Sequence, residues 1–316
     1  MRAHQAHAIV VMPPLAGRRA PDAACRRWLS RAALRRDAPR RVDLERVLAV
    51  LGRPAPASGL AALRLWGDTG ERPRGWVAAA DAAFLEARLD HLHLHALADR
   101  DLSRAELREL LDDLGQMLFA DAAWRLVRVG RRGYLCGEAG FATAGRPPAL
   151  LDGERVARWL PQGRQADAGL ALGSEIEMCL HRHAVNAARV RRGLQPVNGL
   201  WIWGGGYALP AAGPALPPLY SDEPLLRGYW HAAGGAVADY SADGWPCAAG
   251  DVVVTLPQTA SDADIRAALD ALRARQAERR ATVTLLLAER TVATLRPGDR
   301  WRYWRRNAAC ILGEPR

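Results

Sequence analysis

The strongest constraint on this chain is a set of short apolar runs separated by helix-like stretches. Ala8-Ile9-Val10-Val11-Met12 and Val252-Val253-Val254-Thr255-Leu256 lack the polar alternation of a half-exposed strand and read as buried strands. Helical patterns follow both: residues 22–36 and 43–51 after the first, and 260–279 after the second, with Ile265, Leu269 and Leu272 on one face. Further strands are expected near 281–287 and 291–295. Strands alternating with helices at both ends argue for an α/β sheet. The middle of the chain differs. Residues 88–95 alternate in the manner of a half-exposed strand. Ser103, with Glu106 three residues on, forms a capping box for a helix over 104–118, whose buried stripe is Leu107, Leu110, Leu111 and Leu114. Strands near 124–129 and 133–136 complete a small α+β unit that looks inserted. A long loop over 138–168 follows, then helices near 168–183 and 185–192. A strand at 197–203 runs into Gly204-Gly205-Gly206, and a helix is expected near 223–233. A length of 316 residues fits two domains.

The net charge of +10 is concentrated at the ends. Residues 1–46 and 290–316 hold 18 Arg against 6 acids, leaving 26 Arg and 28 acids between them. All 44 basic residues are Arg, which either reflects codon bias or serves anion recognition through a planar fork suited to phosphate and carboxylate. The five cysteines are odd in number, widely spread and form no CxxC pair. That pattern argues against a disulfide framework or a zinc ribbon and for a reducing compartment. No apolar run reaches the length of a spanning helix, and the first strand is too short and Pro-interrupted to read as a leader. A cytoplasmic address and no membrane association are therefore expected.

Several residue groups carry chemical possibilities beside plainer ones. The three glycines at 204–206 could form an anion-binding nest, but GxGxxG and P-loop spacings are absent, and a strand-to-loop exit is the plainer reading. His91, His93 and His95 share a strand face, but same-face residues fan apart, so an exposed polar face is expected rather than zinc. Cys179 and His183 are four apart on a helix, which is possible ligand spacing without further ligands. Arg300–Arg306 interleaves Arg with aromatics, as a nucleic-acid strip or as a self-paired terminal strand would. No Ser-His-Asp arrangement, GxSxG elbow or HExxH helix occurs.

The stretch from Gly173 to Gly206 is the most specific. It contains Ser174-Glu175-Ile176-Glu177-Met178, His183-Ala184-Val185-Asn186-Ala187-Ala188-Arg189, Gly193, Pro196-Val197-Asn198 and Trp201-Ile202-Trp203-Gly204-Gly205-Gly206. This resembles the H-P-x-N-x-x-R … G-x-x-P-x-N-x-x-W-x-W-G-x-G run of archaeal-type cofactor-independent phosphoglycerate mutases. It is closer still to bacterial RpfE-type regulatory proteins, whose endings also resemble Arg296–Arg306. Leu225-Leu226-Arg227-Gly228 and Ala80–Leu111 are similar to two further segments of the mutases. The resemblance implies an α/β fold: an alkaline-phosphatase-like sheet flanked by helices, with an inserted smaller α+β cap domain. The core would comprise residues 1–72 and 199–316, and the cap 73–198. It also implies that Asn186, Arg189, Asn198, Trp203, Gly204, Gly206 and Arg227 shape a phosphate-ester pocket.

The departures bear on activity. The mutases' first strand ends in a metal-binding Asp, where this chain has Val11-Met12-Pro13-Pro14. No segment matches their Ser nucleophile, and the last histidine is His231, before the late strands that should carry metal-binding His. Hydrolysis of a phosphate monoester can demand up to roughly 10²¹-fold acceleration, about 29 kcal/mol. Positioning supplies about 7–11 kcal/mol of such a barrier. Metal ions and a nucleophile normally contribute much of the rest. The expectation is a non-catalytic, mutase-like regulatory protein that binds a small phosphorylated or acidic metabolite. No catalytic residues, metal ligands or cofactor are assigned, and a protein partner is admitted. The first alternative is an active mutase or phosphatase with a rearranged Mn, Zn, Co or Mg site. The second is a nucleic-acid or protein-binding module using the basic termini, although nucleic acid is not the expected partner.

Overall fold

The computed structural model describes residues 6–314, except 20, 98–100, 121–122, 163–165, 211–212, 249 and 303; at 289 it describes the backbone alone. The chain divides into unit 1, residues 1–55 and 211–316, and unit 2, residues 56–210. Unit 1 opens with β1 (His7–Val11), α1 (Ala23–Ser30), β2 (Ala33–Arg36) and α2 (Asp43–Val50). Unit 2 then contributes α3 (Leu60–Thr69), β3 (Trp76–Ala87), β4 (Leu92–Ala96), α4 (Arg104–Phe119), β5 (Trp124–Val129) and β6 (Arg132–Gly137). It ends with α5 (Asp167–His181), α6 (Ala184–Arg191) and β7 (Gly199–Gly206). Unit 1 resumes with β8 (Leu219–Tyr220), α7 (Pro224–Ala232), β9 (Val237–Ala238), β10 (Val252–Thr255) and α8 (Asp262–Arg279). It closes with β11 (Thr282–Leu286), β12 (Thr291–Leu295) and α9 (Ala308–Leu312).

Unit 1 is a sheet in the order β2-β12-β11-β1-β10-β8-β9. The five strands from β11 to β9 are parallel, and β12 and β2 close one edge in antiparallel pairing. Ile9 lies between Val253 and Thr284 in register. One face packs Ala8, Val10, Val252, Val254 and Val283 against Trp28 and Leu29 of α1, Ile265, Leu269 and Leu272 of α8, and Ile311 of α9. Side chains alternate along a strand, so Ile9, Val11 and Val253 face the other way, where α2 contacts β1 and α7. Both faces are covered, which is why these strands are apolar at every position. Cys25 lies within this core; burial, then the neighbouring Asp270 and Asp22, push its thiol up to about 12, so it acts as a small apolar filler.

Unit 2 is organised around β3, a central strand of 12 residues. β6 and β4 pair in succession along one edge of β3, at Trp76–Ala79 and Ala83–Ala87, and β7 occupies the other edge. Leu107, Leu110, Leu111 and Leu114 of α4, with Leu172, Ile176 and Leu180 of α5, bury this sheet's apolar face. The mixed α/β class, with a central sheet flanked by helices, agrees with the sequence reading. The strand at 199–206, expected with the first unit, instead pairs with β3, because Ala79 and Ala83 lie opposite Trp203 and Gly199. Residues 33–36, expected as helix, form an edge strand: α1 stops at Ser30 and the chain pairs with β12. Within 300–306, read either as a nucleic-acid strip or as a terminal strand, the described residues form no strand, and Pro297–Trp301 is a short 3-10 turn. Among the described residues no helix is long and apolar enough to cross a membrane.

Candidate functional site

Six of the seven residues singled out from the resemblance lie in unit 2, and their polar atoms are engaged within the protein. Asn186 braces α6 to the segment entering β7: its Nδ2 donates to the carbonyls of Leu180 and Val197, each at 2.7 Å, and its Oδ1 accepts from Val197 N at 2.8 Å. Asn198 extends the sheet with its amide, accepting from Leu85 N at 2.7 Å and donating to Leu85 O at 2.9 Å. It lines a cavity of about 180 Å³ with Leu85, Leu92, Phe141, Thr143, Ser174 and Glu177, a lining that holds, among the described residues, a carboxylate and no basic side chain for a phosphate. Arg189 is 1% exposed and donates to Gln195 O, Asp101 O and Glu106, at 2.9, 2.8 and 3.2 Å. His183 uses both ring nitrogens, Nδ1 accepting from Val185 N and Nε2 meeting Asp113, and so caps α6 rather than joining Cys179 around a metal. Ala184 is the first residue of α6, a position that suits Pro equally well, so its departure from the family pattern has little structural consequence.

The glycine turn is used for close approach between backbones. Gly204 N donates to Ala144 O and Gly205 N to Thr143 Oγ1, so neither amide is open to an anion. At Gly206, φ is 149° and a Cβ would lie 2.6 Å from Gly59 N, so only glycine fits. Trp203, 2% exposed, donates from Nε1 to Asp81 at 2.7 Å. Arg227 lies on α7 in unit 1, bonded to Ser221 O and paired with Asp239 at 2.6 Å. The rings of His91 and His93 lie 4.7 Å apart, but each of the three histidines has its own partner: His91 meets Asp90, His93 meets Gly153 O at 2.9 Å, and His95 meets Glu86 at 3.0 Å.

A buried cluster in unit 2 was missed from the sequence. Arg64 on α3 makes a two-pronged pair with Asp81 on β3, at 3.0 and 2.9 Å, and its guanidinium lies over the rings of Tyr134 and Trp203. Burial disfavours the Arg64 charge, but Asp81 outweighs it and holds the group ionised. Tyr134 donates to Asp68, which also accepts from Arg132 at 2.9 Å, and burial pushes the phenol well above its ordinary range. Its sequence signal was Asp81, the single acid inside Ala78-Ala79-Ala80-Asp81-Ala82-Ala83. With every carboxylate oxygen of Asp81 and Asp68 satisfied from within, the cluster ties α3 to the sheet.

Glu106 is a second junction. It completes the Ser103 capping box and receives Arg189 and Arg192. Burial pushes its carboxyl up, but the Ser103 amide, Arg192, the Ser103 hydroxyl and Arg189 together hold it down at about 2. Its folded value is depressed, so its stabilising contribution is present above the ordinary carboxylate range and is lost as pH falls toward 2. Denaturation profiles between pH 5 and 2 should show a steep loss of stability, with a smaller slope in Glu106→Gln.

The open chemistry lies in unit 1, at the carboxyl ends of β1 and β10, where parallel α/β sheets commonly bind ligands. A cavity of about 260 Å³ there is lined by Gly17, Arg18, Arg19, Asp262, Ile265 and Arg266, among others. Arg18 is tied down, donating to Ala260 O at 2.7 Å and pairing with Asp262 at 3.4 Å. Arg19 and Arg266 form no ion pair among the described residues. The metal ions implied by the resemblance require several carboxylate or imidazole donors held together. The strand ends here supply Met12-Pro13-Pro14 and Pro257-Gln258-Thr259, and among the described residues no three His, Cys, Asp or Glu side chains are gathered for a metal. The donor set does not fit a two-metal phosphoryl-transfer centre.

Part of this chain is homologous to 2,3-bisphosphoglycerate-independent phosphoglycerate mutases. It is 36% identical over 69 residues to the enzyme of Methanosarcina mazei, a match covering 22% of this chain and 17% of that protein. It is 31% identical over 136 residues to the enzyme of Methanothrix thermoacetophila, covering 40% of this chain and 31% of that one. The chain thus matches less than a third of the length of these curated relatives. No family model matches. A solved protein from Pyrococcus horikoshii is 14% identical, with a TM-score of 0.53 covering 92% of this chain and 87% of that one, a likeness of fold.

Proposed function

We propose that the protein is a mutase-related, non-catalytic regulatory protein that holds a small phosphorylated or carboxylated metabolite in the cavity at the carboxyl ends of β1 and β10. The observation that carries this reading is the lining of that cavity. Arg19 and Arg266 offer planar donors to an anion. The two carboxylates of the same lining are engaged already, Asp262 by Arg18 and the Arg19 amide and Glu314 by Arg26. The adjoining strand ends present Met, Pro and Gln in place of metal ligands and a nucleophile. An arginine fork orients a phosphate or carboxylate without providing an attacking group, so grip without turnover follows.

Isothermal titration of the full chain with 3-phosphoglycerate tests the reading. Binding is expected, weakened at least tenfold in the Arg19→Ala/Arg266→Ala double variant, with no 2-phosphoglycerate formed when Mn²⁺ or Co²⁺ is added. Metal-dependent turnover that a chelator abolishes would establish the active-enzyme alternative. Affinity indifferent to the double variant would remove this cavity from consideration.

A further inference from the structure

A second concave surface in unit 1 lies at the opposite ends of the same two helices. α1 and α8 leave the carboxyl edge of the sheet, and the cavity described above is at their N-termini. At their C-termini is a groove of about 810 Å³ lined by Arg27, Arg31, Arg273, Arg280, Arg300 and Trp301, with no carboxylate in its lining. Arg27 in the last turn of α1 and Arg31 at its C-cap are four apart on one side of the chain, a like-charge spacing that is unfavourable without a counter-ion. Neither forms an ion pair among the described residues. Arg273 pairs with Asp270 at 3.3 Å, and Arg300 lies 5.1 Å from the Trp301 ring centre. The floor is rigid, because Trp28 Nε1 donates to Gln276 at 2.6 Å. The partial negative charge of the two helix C-termini itself favours arginine there, and the groove gathers more arginine than two helix ends can balance. The wider field agrees: unit 1 holds 25 Arg against 16 acids, whereas unit 2 holds 19 against 18.

We propose that this groove binds a nucleoside polyphosphate, with the phosphates held by Arg27, Arg31 and their neighbours and the base stacked on Trp301. The volume lies in the range of small-molecule sites, roughly 300–1,000 Å³. Among the described residues of the lining, Trp301, 68% exposed, is the one exposed aromatic, with Arg300 over its ring. A surface that tracks a nucleic-acid strand needs successive platforms along its length, so a single nucleotide fits this one better. Arginine forks suit terminal phosphates, and an indole face suits a base.

Titration of the full chain with ATP, tripolyphosphate, adenosine and a twelve-nucleotide oligo(dT) tests the assignment. ATP should bind and adenosine should not. Arg27→Ala/Arg31→Ala should weaken ATP and tripolyphosphate at least tenfold, with helix content by circular dichroism unchanged. Arg300→Ala, on the turn outside both helices, should weaken them in the same direction. Trp301→Ala should weaken ATP severalfold and leave tripolyphosphate unaffected. The Arg19→Ala/Arg266→Ala variant should bind ATP normally, so failure of one site is distinguishable from failure of the other. No ATP binding, ATP affinity indifferent to the Arg27/Arg31 or Trp301 substitutions, or oligo(dT) bound more tightly than ATP overturns the proposal.

Discussion

Asp81→Ala is expected to destabilise unit 2 by about 3–5 kcal/mol, the usual cost of removing one partner from a buried ion pair. Arg64 is 8% exposed, and Asp81 accepts from it through both carboxylate oxygens. Trp203 Nε1 donates to the same carboxylate, so the substitution strands a guanidinium and an indole N–H together. Neither can turn to water, because Trp203 pairs with β3 in register and Arg64 is enclosed by two rings. Chemical denaturation followed by tryptophan emission should show the loss. Arg64→Met with Asp81→Leu should recover the part due to the stranded guanidinium, since replacing a buried pair by apolar residues of similar volume is often close to neutral, and leave the cost of the unpaired Trp203 indole N–H. A loss below about 1 kcal/mol in Asp81→Ala would mean that the pair is far better solvated than its burial implies.

Arg189→Ala is expected to be comparably damaging, at about 3–5 kcal/mol, and to act on folding rather than on ligand affinity. The side chain joins three separate segments through Gln195 O, Asp101 O and Glu106. Removing it leaves two carbonyls without their donor and a cavity the size of an arginine, each a recognised source of large losses. Denaturation midpoints should fall sharply, while 3-phosphoglycerate binding by the folded fraction should match that of the unaltered chain. A variant of normal stability that no longer binds 3-phosphoglycerate would restore Arg189 to a ligand site.

The contrast between Arg189 and Arg19 explains how much of the proposed site could be read from the sequence. The Gly173–Gly206 run was legible as a family signature, but a signature does not reveal which atoms are spent internally. Asn186 and Asn198 look like ligand donors in one dimension, yet both pair with backbone as a missing strand residue would. Arg19 and Arg266 lie 247 positions apart and belong to no motif; the parallel pairing of β1 with β10 is what brings their loops to one edge. Fold elements followed the same rule. The Ser103–Glu106 capping box placed α4 correctly because its signal is local. The alanine-rich run of β3 favours helix locally, and pairing along both edges overrides that preference. Residues 33–36 became a strand for the same reason, through pairing with β12.

The sheet of unit 1 also sets a timetable for synthesis. β1 must be flanked by β10 and β11, and its register partners extend to Leu286. Unit 2 is a single continuous stretch that can mature while β1 still waits with both edges bare. At translation speeds of about 5–20 residues per second, that wait is on the order of 15–60 s. Throughout it, an apolar five-residue ribbon with two unsatisfied edges is exposed to other nascent chains and to chaperones. Termination between residue 210 and β10 would release a polypeptide with a complete unit 2 and a β1 unpaired along both edges.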